Sequence, residues 1–211
     1  MTDHAVSLKA ELAQRLSGPG GLYNMGNALG LLGGLSFHVA AAMAVSGSGL
    51  GHGLDAFADY FAGSLGATAI TLAMLIFFWS GEQYHRAWAL GAPPDAALNR
   101  MGDLSSGWGA LALGLGLFLL GQPVLAATSG LMHAAGKFGS ALPEWVQSRL
   151  PFGPRTFRLT VVASRLPALV AVLIQAQSAG AAGQTQPLAA SGLLLLCYGL
   201  WLKADVALMR S

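Results

Sequence analysis

The chain is short of charge. Of its 211 residues, 9% are Asp, Glu, Lys or Arg, against about 25% in a typical soluble domain. A soluble fold of this size needs far more charge to cover its surface, so composition argues against one. Basic runs are missing too, and the net charge is only +2. Phosphate-tracking surfaces of the nucleic-acid-binding kind are therefore excluded. Cysteine is confined to Cys197, which excludes an intrachain disulfide and any metal site built on several thiolates. Residues 2–18 contain no apolar core segment of the signal-peptide type. They read instead as a surface-lying amphipathic helix or a flexible tail. No phosphate-binding glycine loop, GxSxG elbow, HExxH motif, or Ser–Lys or Cys–His pairing occurs.

What the chain has in quantity is apolar surface and glycine. Apolar residues make up 54%, and there are 29 glycines; the mean hydropathy is +0.57. Glycine is more frequent in membrane helices than in soluble ones, because it lets two helix backbones approach closely. The expected fold is an all-α, polytopic transmembrane helical bundle of about five spans with short interfacial helices. An N-terminal amphipathic or flexible segment, 1–21, precedes a transmembrane helical domain, 22–211. Spans are expected at about 27–45, 63–85, 103–127, 158–175 and 187–203, with an interfacial helix at about 143–150. Gln122-Pro123 interrupts the third span. Residues 123–136 therefore continue it as a kinked helix or form a separate half-length piece. Lys and Arg are divided between the two sides; a slight excess leans to a cytoplasmic C-terminus, but a half-span at 123–136 would change the count, so the orientation stays open. The bacterial inner membrane is the expected location.

The second span begins apolar and ends in WSGEQYHRAW, the densest run of chemical groups in the chain. As a helix it carries one stripe: Ser64, Thr68, Thr71, Leu75, Phe78, Glu82 and His85. Trp79, Tyr84, Arg86 and Trp88 read as interfacial anchors, as does Trp145 in the loop after the third span. Glu82 and His85 form a Glu-x-x-His pair, a spacing also used by carboxylate metal sites. One pair falls short of a di-metal centre, but a single-metal site at Glu82 and His85, with Asp103 as a third ligand, is a minor candidate.

Depth offers a second candidate. At 1.5 Å per residue through a core about 30 Å thick, His38 lies roughly 16 Å from the N-terminal side. Thr68, Thr71, Gln122 and Arg165 fall about 8–12 Å below the opposite face. With Tyr198 near mid-membrane, these residues are expected to form a buried polar, ligand-binding layer. No acidic residue is expected at Arg165's depth. Its charge is then answered by snorkelling, by a neutral interhelical partner or by a ligand anion, in that order. His38, His85 and His133 fall at different depths, which disfavours bis-His haem. A single-His porphyrin or chlorin at His38 stays open, with Gly30, Gly33 and Gly34 leaving room for a flat ring.

Three functions follow, in this order. The first is a non-catalytic subunit or assembly factor of a larger membrane complex, binding a lipid or pigment. The second is a small-solute transporter or channel with a polar pocket around His38 and Arg165. The third is an enzyme or metal site at Glu82/His85. Expected partners are the lipid bilayer and other membrane subunits, or further copies of the chain, docked through glycine-rich helices.

Overall fold

The computed structural model describes residues 17–46, 63–91 and 97–210, together with Ala10 and Ala13; side chains are described for all of these except 37–46 and 210. Among the described residues the secondary structure is helical throughout. Helix α1 is Gly18–Ser46, α2 is Leu65–Ala89 and α3 is Ala97–Leu119. A short α4, Pro123–Leu125, runs into a π-helical segment, Ala126–Met132, and then into α5, His133–Ala141. The short α6 is Glu144–Gln147. Helices α7, Pro154–Ala181, and α8, Thr185–Arg210, follow. Of the expected N-terminal segment 1–21, only Ala10, Ala13 and 17–21 are described, and 18–21 already belong to α1; the loop after α1 lies outside the described residues from 47 to 62.

Among the described residues, three helices are long and apolar enough to cross a membrane: Leu65–Ala89, Pro154–Ala181 and Thr185–Met209. Their outward faces are apolar. Leu72, Leu75 and Trp79 are exposed on α2, Leu166, Val170 and Leu173 on α7, and Leu188 and Leu196 on α8. That many exposed large apolar side chains suit lipid rather than water.

Helix ends are set by local chemistry. Ser64 caps α2 by accepting the Ala67 N–H at 3.2 Å. After α3 the chain turns at Gly121, whose φ is +74°. Gln122 N–H reaches Leu117 O at 2.8 Å and Gly121 N–H reaches Phe118 O at 3.0 Å. This double bond pattern closes a helix around a left-handed residue, which glycine adopts without steric cost. Residues 123–141 therefore form a separate segment, not a continuation of α3. Gln147 in turn donates to the last carbonyls of α5, reaching Leu142 O at 2.8 Å and Gly139 O at 3.2 Å.

The helices pack in sequence: α1 on α2, α2 on α3, α3 on the π segment and α5, α5 on α7, α7 on α8, and α8 back on α1. Packing of α3 against the π segment is backbone to backbone. A Cβ on Gly114 would sit 2.9 Å from Gly130 Cα, so neither position admits a side chain without moving the helices apart. The interior holds Phe77, Tyr84, Tyr23, Trp201, Leu113 and Val172. It also holds a set of charges.

Candidate functional site

Asp205, on α8, is fully buried and lies between two cations. Its Oδ2 accepts from Arg165 Nε at 3.0 Å, and its Oδ1 lies 3.1 Å from Lys137 Nζ. Oδ1 also accepts from the Tyr23 hydroxyl. Lys137 continues the chain of contacts. Its Nζ donates to the Tyr84 hydroxyl at 3.0 Å and to Asp103 Oδ1 at 3.2 Å. Tyr84 itself donates to Asp103 Oδ1 at 2.5 Å. Three acceptors for three ammonium protons leave Lys137 fully satisfied.

Arg165 Nη2 lies 3.3 Å from the Tyr23 hydroxyl and 3.0 Å from His133 Nε2. A guanidinium only donates, so His133 Nε2 must accept. The histidine is then neutral with its proton on Nδ1, which donates to Ser164 Oγ at 2.8 Å. Ser164 passes the bond on to Val161 O at 2.6 Å. Both ring nitrogens of His133 are thus engaged, while Arg165 Nη1 is buried with no hydrogen-bond partner among the described residues.

Helix geometry explains how the groups converge. His133 and Lys137 are one turn apart and share a face of α5. On α8, Tyr198, Trp201 and Asp205 follow steps of three and four. On α2, Phe77, Ser80 and Tyr84 do the same, and Ser80 ties the helix to α3 by donating to Gly102 O at 2.7 Å. Gly102 also makes room for the Tyr84 ring, whose Cε1 would lie 2.6 Å from a Cβ there. All six long elements thus contribute to one network: Tyr23, Tyr84, Asp103, His133 with Lys137, Ser164 with Arg165, and Asp205. Two cations and two carboxylates balance formally to zero. Arg165 and Asp205 are sealed, while the Asp103 side chain is 17% exposed and forms the network's outer edge. A polar cavity of about 30 Å³ lies there, bordered by Asp103, Lys137, Arg158 and Asp205. It has room for about two water molecules.

On the other side of Trp201 is a larger cavity of about 510 Å³. Met74, Leu113, Val172, Cys197, Tyr198 and Trp201 line its buried end, and Gln122 and Gln175 line its exposed end. Gly30 and Gly34 form part of the α1 wall. Trp201 belongs to both environments. Arg165 Cζ lies 4.6 Å from its ring centroid, its indole N–H donates to Asn27 Oδ1 at 2.8 Å, and Tyr198 packs edge-on against it.

The residues singled out by sequence are dispersed among these features. Arg165 belongs to the ionic network, and Gln122 and Tyr198 line the large cavity. Thr68 is exposed, with its hydroxyl on Ser64 O at 3.2 Å, and Thr71 is half-buried. Neither belongs to the network or lines the cavity. The stripe from Ser64 to His85 is the outward side of α2. Its inner side is Ala73, Phe77, Ser80 and Tyr84, because small and aromatic residues fill the interior. His38 lies on α1 outside the residues with described side chains.

Three expectations are corrected. Arg165 has an acidic partner and does not snorkel: α8 continues past Leu202 and carries Asp205 inside. Tyr84 is buried and bonded to Asp103 and Lys137, so it is not an interfacial anchor. Asp103 serves Lys137 and Tyr84, not a metal with Glu82 and His85. Trp79, Trp88 and Trp145 are exposed. Glu82 pairs along its own helix with Arg86 at 2.9 Å. Among the described residues, no three His, Cys, Asp or Glu gather as metal ligands.

Sequence reasoning missed Tyr23, His133, Lys137, Ser164 and Asp205 as site residues. The signal that could have found them is spacing: His133 with Lys137 one turn apart, and Asp205 on the face of Tyr198 and Trp201. No protein-family model, curated protein or solved structure matches this chain.

Proposed function

We propose that this is a multi-pass protein of about five spans, forming a helical bundle in a bacterial inner membrane. It acts by holding a lipid-like molecule among its helices, as a non-catalytic subunit or assembly factor of a larger membrane complex. The observation that carries this reading is the division of its interior. Ionisable groups are engaged with one another in a network that ties the helices together, whereas the large cavity is lined mainly by apolar side chains. A pocket of several hundred Å³ with a few polar groups is the usual form of a small-molecule site. Docking to partner subunits is supported by Gly192 and Gly199 on α8, where an added Cβ would meet nothing within 4 Å. Bare glycine faces of this kind are what neighbouring membrane helices pack against.

The experiment is purification in mild detergent or native nanodiscs, followed by identification of co-purifying chains and extracted lipids. Stoichiometric partner chains and a retained lipid are expected. A lone, monodisperse, lipid-free chain would sink the reading.

Transport of a small polar solute is the second reading. One observation favours it: Asp205, Lys137 and Arg165 are ionisable groups buried in the helical interior, and such groups often mark solute or proton paths in membranes. Solute flux in proteoliposomes that is lost in Asp205→Asn, with the protein still folded, would move the balance to this reading.

A further inference from the structure

The large cavity has a direction. Its inner end is closed by side chains that are nearly or wholly buried: Met74, Leu113, Val172, Cys197, Tyr198 and Trp201. Its other end is marked by Gln122 and Gln175, both exposed. Gln122 stands at the turn between α3 and α4, and Gln175 lies in the last third of α7. Two uncharged amides, each able to donate and accept, therefore stand at the mouth of an apolar volume. Among the described residues, no side chain lining the cavity is charged. Arg165 lies against the Trp201 ring that forms part of this wall, and it is bonded to Asp205.

From this arrangement we infer that the cavity takes a neutral amphiphile. Its apolar chain or ring extends inward to Cys197 and Trp201, and its carbonyl or hydroxyl group is held between Gln122 and Gln175. This rests on the ligand-holding function proposed above and adds the ligand's charge and orientation. A charged headgroup would reach the mouth with no counter-ion among the described lining residues, and a charged group drawn inside would lose its hydration without one there. A neutral oxygen group gains hydrogen bonds at the mouth, while the chain gains the apolar contacts behind it.

The test uses the full chain in nanodiscs with Trp79, Trp88, Trp108 and Trp145 each changed to Phe, leaving Trp201 as the sole fluorophore. Four probes share one brominated chain: ω-bromododecanol, ω-bromododecanoate, ω-bromododecyltrimethylammonium and bromododecane. The alcohol should quench Trp201 saturably, and both charged probes should bind at least about tenfold more weakly. Ala171→Phe, which places a ring in the cavity, should abolish quenching by the alcohol. Gln122→Leu/Gln175→Leu, at two exposed positions, should erase the alcohol's advantage over bromododecane with the melting temperature unchanged.

Charged probes that quench as strongly as the alcohol, yet remain blocked by Ala171→Phe, would overturn the neutral assignment and leave the ligand-holding function standing. Quenching that Ala171→Phe leaves unchanged for every probe would overturn both. If Ala171→Phe does not fold, the glutamine variant decides: a retained alcohol preference overturns the assignment.

Discussion

Arg165 lies over the Trp201 ring, Cζ 4.6 Å from its centroid. One indole thus separates a buried ionic network from an apolar cavity. A guanidinium is weakly hydrated and stacks well on an aromatic face, which makes Arg the cation suited to this position. The pair sets the two environments side by side without letting the charge into the cavity.

Removing one member of the buried charge set should cost far more than removing an exposed one. Asp205→Ala leaves both Arg165 and Lys137 short of their anion, and a loss of about 3–5 kcal/mol is expected. Arg86→Ala, which breaks an exposed pair with Glu82, should cost less than about 0.5 kcal/mol. Arg165→Met/Asp205→Leu should be less destabilising than the sum of its single changes, because the orphaned charge disappears with its partner. Reversible unfolding in mixed micelles measures these variants, together with Arg165→Met and Asp205→Leu alone. Equal effects for Asp205→Ala and Arg86→Ala would refute the network's structural role.

His133 should be found as the neutral tautomer with its proton on Nδ1. Arg165 can only donate to Nε2, and Ser164 receives the Nδ1 proton. Nitrogen-15 chemical shifts of selectively labelled histidine report this directly. An Nε2-protonated or doubly protonated ring would show that Arg165 and His133 are not arranged as described.

Glycines that look alike in sequence should behave differently. Gly114→Val drives a side chain into the Gly130 backbone, and at least about 1–3 kcal/mol of overpacking is expected, with poor recovery of folded protein. Gly199→Val meets open space and should leave the isolated chain folded. If α8 docks on a partner, the same change should remove that partner from the purified complex. Size-exclusion recovery measures the first effect, and partner recovery the second.

Thr68→Val should change stability by no more than about 0.5 kcal/mol, the usual scale for surface positions. Its hydroxyl donates to the preceding turn, at Ser64 O. A loss comparable to that of Asp205→Ala would return the threonine face to the site.

The helical class and most helix cores could be read from the sequence, because long apolar runs broken by Gly and Pro have few other solutions. The site was less legible for a specific reason. Asp103, Lys137 and Asp205 each sit within about two turns of a helix end. One-dimensional reasoning assigns such charges to the water outside a span. Their burial depends on mutual neutralisation across helices more than a hundred residues apart in the case of Tyr23 and Asp205, and no local pattern encodes that pairing. Tyr198 is buried as expected, whereas Gln122 is exposed, and the cavity both line is assembled from residues of α1, α2, α3, α7 and α8 that no local pattern connects. The outward direction of Thr68 was hidden as well, since Ala73 and Phe77, not the threonines, decide which side of α2 turns inward.

The π segment Ala126–Met132 has a consequence for how this chain can change length. Its wide turns precede His133 and Lys137, two of the groups that meet Arg165 and Asp205. Its i→i+5 turns hold one residue more than α turns would. Deleting one residue from the segment converts a π turn to an α turn and leaves His133 and Lys137 facing Arg165 and Asp205. A deletion between His133 and Lys137 has no such slack and turns one side chain about 100° away from the other, a single α-helical step. The segment is therefore a reserve of one residue in the chain's length, placed just ahead of the part of α5 that has none.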